Sequence, residues 1–303
     1  MLRQGFLTLS QSKGLRDFAV ANPLARKVAR RFVAGEELSE AVQVIGALNQ
    51  EGLFATFDLL GENVTSTADA HATADAYLAL LDAIQTHKLK SNVSLKLTAM
   101  GLDLSEGTAL DNMRRILERA RGYGNFVRID MESSDYTDVT LALFRRLWQD
   151  YQNVGVVLQA YLYRTPQDID EMIHLKARVR LCKGAYNEPP SIAFPEKKDT
   201  DMQYARLMCK LIDLGTYPGI ATHDPRLIRL AQRFVAKKSI PADRFEFQML
   251  YGVRSQLQRD LVRDGFNMRV YVPYGEQWYP YFMRRLAERP ANLVFLLSNL
   301  VRK

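Results

Sequence analysis

From residue 52 onward, short β-prone runs alternate with longer helical stretches, and this alternation constrains the fold more than any other feature of the chain. The strand candidates are Leu53–Leu59, Asn92–Leu97, Phe126–Met131, Val154–Gln159, Ala177–Cys182, Gly219–Thr222, Phe245–Met249 and Met268–Val272. Helical patterning falls near residues 67–87, 108–122, 137–151, 167–175, 200–214, 226–237, 254–264 and 278–289. Eight strand–helix units predict an α/β fold closed into a parallel (βα)8 TIM-type barrel, because closure removes both sheet edges. An open, doubly wound sheet is the alternative. The pattern divides the chain into an N-terminal segment, 1–51, of two or three helices, and a barrel over 52–303.

Composition narrows the class. Hydrophobic residues make up 47% and charged residues 25% of the 303, enough for a large core without staples. Two cysteines, Cys182 and Cys209, have no paired spacing, so a reducing compartment fits and a disulfide framework does not. No apolar run approaches the roughly 20 residues of a membrane span. The start, Met1 to Leu9, lacks a secretory pattern, so the expected location is cytoplasmic. The formal net charge of +7 admits an anionic partner such as lipid or nucleic acid. Nucleic acid is disfavoured by the lack of interleaved aromatic and basic residues. Glycine-rich phosphate loops, a G-x-S-x-G elbow and H-E-x-x-H are absent, and the four histidines are too scattered for a metal site.

In a (βα)8 barrel the chemistry sits at the C-terminal strand ends. Here those ends carry Asp58 and Glu62, Lys96, Asp130 and Glu132, Gln159, Arg180 and Lys183, Thr222 and His223, Gln248, and Tyr271. So many polar groups at one rim are expensive to bury without a ligand. The period of two in strand 5 sets Arg180 and Cys182 on one face and Val179 and Leu181 on the other. With the apolar pair toward the helices, Arg180 points into the barrel mouth and needs an anion or an electron-rich acceptor. Gly184 and Ala185 would let a ligand approach the backbone. In the last helix, Glu288 lies four residues after Arg284 and three after Arg285, so the three share a face. That face reads either as an ordinary surface ion-pair cluster or as a carboxylate clamp for a small amino acid. The loop Asn187–Asp199, with three prolines, reads either as a lid that Glu62 could hold through Lys197 or Lys198, or as a tolerated surface insertion. Lys96 or Lys183 as a Schiff-base nucleophile in an aldolase-like barrel is a competing enzyme class.

Eight segments together resemble the proline dehydrogenase family. They are Asp58-Leu-Leu-Gly-Glu62, Ser94-Leu-Lys-Leu-Thr98, Arg128-Ile-Asp-Met-Glu132, Arg180-Leu-Cys-Lys-Gly-Ala-Tyr186, Ala221-Thr-His-Asp224, Phe245-Glu-Phe-Gln-Met-Leu-Tyr-Gly252, Arg269-Val-Tyr-Val-Pro-Tyr-Gly275 and Arg284-Arg-Leu-Ala-Glu288. They stand in the family's order and cover about residues 50–300, in the manner of the short bacterial monofunctional form. The resemblance implies a distorted barrel whose last helix lies over the mouth. It implies Asp130 and Arg180 as catalytic residues, and Lys96, Tyr271, Arg284, Arg285 and Glu288 as the proline site. Met131, Gln159, Arg180, Lys183, Gly184, Ala185, Tyr186, Thr222 and His223 would contact FAD. The implied reaction is hydride transfer from proline C5 to flavin N5, giving Δ1-pyrroline-5-carboxylate, with electrons passing to a membrane quinone. Loose peripheral contact with the inner face of the membrane would follow. Hydroxyproline or another cyclic secondary amine is the alternative substrate. Met131, Cys182 and Asn187 depart from the alanine, valine and tryptophan common at these positions.

Overall fold

The computed structural model describes residues 22, 26, 29–61 and 64–288, with side chains through residue 283. Eight strands close into one parallel barrel in sequence order, β8 pairing back onto β1. They are β1 Phe54–Leu59, β2 Ser91–Leu95, β3 Val127–Ile129, β4 Val154–Gln159, β5 Arg178–Cys182, β6 Gly219–Ala221, β7 Glu246–Leu250 and β8 Asn267–Tyr274. This is the closed barrel expected from the strand count, and the open sheet is excluded.

The helices are α1 Leu38–Gln50, α2 Thr67–Thr86, α3 Glu106–Gly122, α4 Ser134–Trp148, α5 Thr165–His174, α6 Lys197–Leu214, α7 Pro225–Lys238, α8 Ser255–Arg263 and α9 Trp278–Glu288. Local chemistry sets several starts. The Ser66 and Ser105 hydroxyls accept from the backbone of Asp69 and Thr108. Asp224 caps α7 ahead of Pro225, which needs no partner for its missing N–H. Several elements begin or end two or three residues away from the sequence reading: the expected helix at 137–151 is Ser134–Trp148, and strands 2 and 3 end at Leu95 and Ile129 instead of Leu97 and Met131. The α6 helix starts at Lys197, shortening the expected loop, and β8 runs to Tyr274 because Val272–Tyr274 pairs with Phe57–Leu59.

Strand side chains sort by alternation. Val179, Leu181, Val127, Ile129, Phe247 and Met249 join the single large core beneath the helices. The alternate residues point inward. Arg180 on β5 reaches both Asp130, directly after β3, and Gln248 on β7, which only a lumen-facing side chain can do.

The outer ring is not filled in simple order. The eighth place, between β8 and β1, is taken by α1, which packs on both strands. Ala41 and Ile45 of α1 are fully buried in the main core, and Glu51 after its end pairs with Arg259 of α8 at 2.6 Å. The last helix, α9, packs elsewhere. Its Trp278, Tyr279, Tyr281, Phe282 and Met283 form a second cluster with Ala29, Phe32, Val33 and Leu60. Leu60 directly follows the C-terminal end of β1, so α9 lies at the C-terminal rim. Among the described residues no helix is long and apolar enough to cross a membrane.

Candidate active site at the C-terminal mouth

The centre of the mouth is a buried ion pair. Arg180 Nη1 donates to Asp130 Oδ1 at 2.6 Å, and Ser94 Oγ donates to the same oxygen at 2.7 Å. The hydroxyl of Tyr271 donates to Asp130 Oδ2 at 2.7 Å, and the guanidinium lies 5.1 Å from the centre of the Tyr271 ring. Three strands, β2, β5 and β8, thus converge on one carboxylate. Burial works against the charge of Arg180, but Asp130 together with Tyr271, Cys182 and Glu246 outweighs it, so the guanidinium stays above its ordinary value and cationic. The Tyr271 phenol is driven well above its usual range by burial and by the nearby Asp130 and Asp58 carboxylates. Burial also pushes the Cys182 thiol up to about 11, which makes it a poor nucleophile at neutral pH.

One donor of this centre is unused. Nη2 of Arg180 is buried and has no hydrogen-bond partner among the described residues. A buried charged donor left unpaired costs about 1–3 kcal/mol or more. Such an orphan marks a place where a ligand acceptor would be gained without breaking anything.

A second ion cluster sits at the rim, three residues further along the chain. Lys183 Nζ meets Asp201 at 2.5 Å and Asp224 at 3.5 Å, and Arg226 meets Asp224 at 3.2 Å. Burial disfavours the Asp224 charge, but hydrogen bonds from Arg226 and the Lys183 charge outweigh it and hold that carboxyl at about 2. Beside this cluster, Thr222 is buried and its hydroxyl accepts from the Asp224 backbone at 3.1 Å. Nε2 of His223 accepts from the Leu250 backbone at 3.0 Å, which leaves Nδ1 to carry any proton of a neutral ring.

The remaining expected site residues fall around these two clusters. Gln159 is buried at the end of β4 and donates to the Glu132 carbonyl at 2.8 Å. Met131 is nearly buried, and Lys96 is half-buried just after β2. Ala185 and Tyr186 are exposed on the loop after β5. Gly184 has φ +113°, and a Cβ there would lie 2.3 Å from the Tyr161 ring. Tyr161 therefore fills the space on that face, so the glycine is required by packing and backbone conformation. The loop beyond is tied down: Leu162 and Ala193 form an antiparallel bridge, and Glu188 accepts from the Ser134 backbone at 2.8 Å and from Tyr161 at 3.3 Å. Lys197 pairs with Asp201 in its own helix. Glu62, its expected partner, lies outside the described residues. Positions 284, 285 and 288 are in α9, but their side chains also lie outside the described residues.

Sequence reasoning missed Ser94 as a partner of Asp130, and it missed a polar layer deeper in the lumen. There Glu246 Oε1 accepts from Arg269 Nε at 2.7 Å, and Arg128 Nη1 donates to the Arg178 carbonyl at 2.6 Å. The signal was present: Arg128/Asp130, Glu246/Gln248 and Arg269/Tyr271 are polar pairs two apart, which a strand places on one face.

A closed eight-stranded parallel barrel with a buried guanidinium–carboxylate pair among its strand ends defines a barrel enzyme whose ligand site lies at the C-terminal mouth. The comparisons with known proteins narrow the class. Residues 41–297 match the family model described as Proline dehydrogenase. Proline dehydrogenase 1 of Bacillus subtilis subsp. natto is 47% identical over 303 residues, spanning 100% of both chains. Proline dehydrogenase of Deinococcus radiodurans is 40% identical over 307 residues, covering 100% of this chain and 98% of its own. Among solved structures, proline utilization A from Bdellovibrio bacteriovorus, inactivated by N-propargylglycine, superposes with a TM-score of 0.81 at 26% identity. That match covers 91% of this chain and 34% of the other. The chain belongs to the proline dehydrogenase family.

Proposed function

We propose that this protein oxidises L-proline to Δ1-pyrroline-5-carboxylate with FAD as its electron carrier, the first step of proline catabolism. The observation that carries the reading is the buried Nη2 of Arg180 at the mouth, which has no hydrogen-bond partner among the described residues. A planar cation with one free donor suits an electron-rich ring system whose negative charge grows during the reaction. FAD, when bound, supplies a two-electron acceptor for the hydride that leaves proline C5.

The chain's own residues divide the remaining work. Arg180, Lys183, Thr222, His223, Gln159, Met131, Gly184, Ala185 and Tyr186 hold the flavin nucleotide. Lys96, Arg284 and Arg285 grip the proline carboxylate, with Glu288 supporting the two arginines, so that binding energy orients the ring. The Tyr271 hydroxyl is engaged with Asp130, which leaves its ring to pack against the substrate. Such packing crowds a hydroxylated ring and favours proline over hydroxyproline. The ring nitrogen must lose its proton before hydride departs. Asp130 already accepts from Ser94, Arg180 and Tyr271, so it serves to hold those groups, and the proton goes to water or Lys96. Electrons leave to a membrane quinone, and the net charge of +7 supports loose contact with anionic lipid.

The experiment is the visible spectrum of the pure protein before and after anaerobic addition of L-proline. Flavin absorption that bleaches with proline is expected. A colourless protein, or flavin bands unchanged by proline, contradicts the reading.

A further inference from the structure

The lumen beneath Arg180 holds a further layer of hydrogen-bonded polar side chains. Gln248 on β7 accepts from Arg180 Nε through Oε1 at 2.6 Å. Its Nε2 donates to Glu246 Oε1 at 2.5 Å. The same oxygen accepts from Arg269 Nε at 2.7 Å, and Arg269 Nη1 is fixed by the Ala55 carbonyl at 2.6 Å and by Asn92 at 3.3 Å. Glu246 and Gln248 are 3% and 4% exposed, so neither can turn to water.

An amide has one accepting end and one donating end, while an ionised carboxylate only accepts. Glu246 therefore decides which end of Gln248 faces Arg180. With the amide turned the other way, two donors would face the guanidinium and repel it. The space for this arrangement comes from Gly219 on β6. A Cβ at Gly219 would lie 2.4 Å from Gln248 Nε2. Asp130 and Ser94 engage only Nη1 of Arg180, so without Gln248 hydrogen bonds would hold the guanidinium at one nitrogen alone and its plane would be less well fixed.

We propose that Gln248, oriented by Glu246, is a positioning residue that fixes the plane of Arg180 and so keeps Nη2 ready for the electron-rich ligand of the mouth. The inference rests on the reading that this ligand is FAD. It assigns to the inner layer a part in setting the preference for reduced over oxidised flavin, beyond its part in folding.

The test uses two holoenzyme variants. Gln248→Met keeps the volume and removes both hydrogen bonds. Gly219→Ala leaves every polar group in place, and its methyl displaces the amide. The midpoint potential of the bound flavin should fall in both, by about 30 mV for each tenfold loss of preference for the reduced form. Turnover should fall about tenfold in Gln248→Met, with the KM for proline held within about twofold, because Arg180 does not grip the carboxylate. Gly219→Ala should show the same pattern at smaller size. Folded variants with the parent potential and kcat overturn the proposal. So does a loss of stability with no shift in potential. If Gln248→Met does not fold, Gly219→Ala decides alone. A parent protein without proline-bleached flavin would instead overturn the reading of function, so the two failures are distinguishable.

Discussion

Two ion-pair clusters leave the end of β5 in different directions, and their difference lies in water. Arg180 turns into the lumen, where its side chain and that of Asp130 are 5% and 12% exposed. Lys183, three residues on, meets Asp201 at the rim with exposures of 26% and 22%. The inner pair is neutralised, one cation against one carboxylate, and held by hydrogen bonds from several strands. The outer cluster is a set of interchangeable contacts among Lys183, Lys197, Arg226 and two aspartates. A dry site gains precision because a lost partner cannot be replaced by water. A wet site can exchange partners with an arriving ligand at little cost. That contrast supports the proposal that the inner cluster is the reacting centre and that Lys183, at the rim, helps to hold the flavin nucleotide.

The largest effect should come from breaking the inner pair. Asp130→Asn keeps the shape and strands the Arg180 charge, so stability should fall by about 3–5 kcal/mol in urea unfolding. Proline-dependent flavin reduction should collapse with it. A loss near zero would mean that water reaches the pair and that the contrast is false. On the substrate side, Arg285→Met should raise the KM for proline about 10–100-fold while flavin stays bound, as expected for one lost charge-assisted contact. Unchanged proline kinetics would remove the clamp from the account.

At the rim the changes should be smaller and salt-sensitive. Lys183→Met should cost about 1 kcal/mol of apo-protein stability, and the difference from the parent should shrink as ionic strength rises past about 0.15 M. A salt-independent cost would place Lys183 with the dry cluster. Acid sensitivity supplies a further signal, confined to low pH. Arg226 and Lys183 hold the Asp224 carboxyl at about 2, below its ordinary 3.8. The ionised form therefore stabilises the fold above 3.8, and this contribution is lost as pH falls toward about 2. Asp224→Asn should flatten the loss of stability across that window, measured as Tm against pH. An unaltered slope would show that the pairing contributes nothing there.

The barrel was legible because each strand–helix unit carries its own local signature. Strand 5 was legible in detail, since the alternation of Arg178, Arg180 and Cys182 with Val179 and Leu181 gave the inward face of Arg180 before any partner was known. The partners were not legible. Asp130, Ser94 and Gln248 lie 50, 86 and 68 residues from Arg180, and no local pattern encodes contacts across a closed barrel. Attention to strand ends also hid the deeper pairs, because Glu246 and Arg269 stand near the starts of their strands. The three prolines marked the 187–199 loop but gave no sign that Glu188 would anchor it to Ser134. The place of α1 in the outer ring was equally silent, since an amphipathic helix does not say which strands it will cover.

Central to the account is the claim that the dry cluster, through Arg180, faces the flavin and favours its reduced form. The most direct measurement is the midpoint potential of flavin bound to Arg180→Met beside that of the parent. The account expects a clearly more negative potential, with slower bleaching by anaerobic proline. A potential equal to the parent's, or more positive, would contradict it.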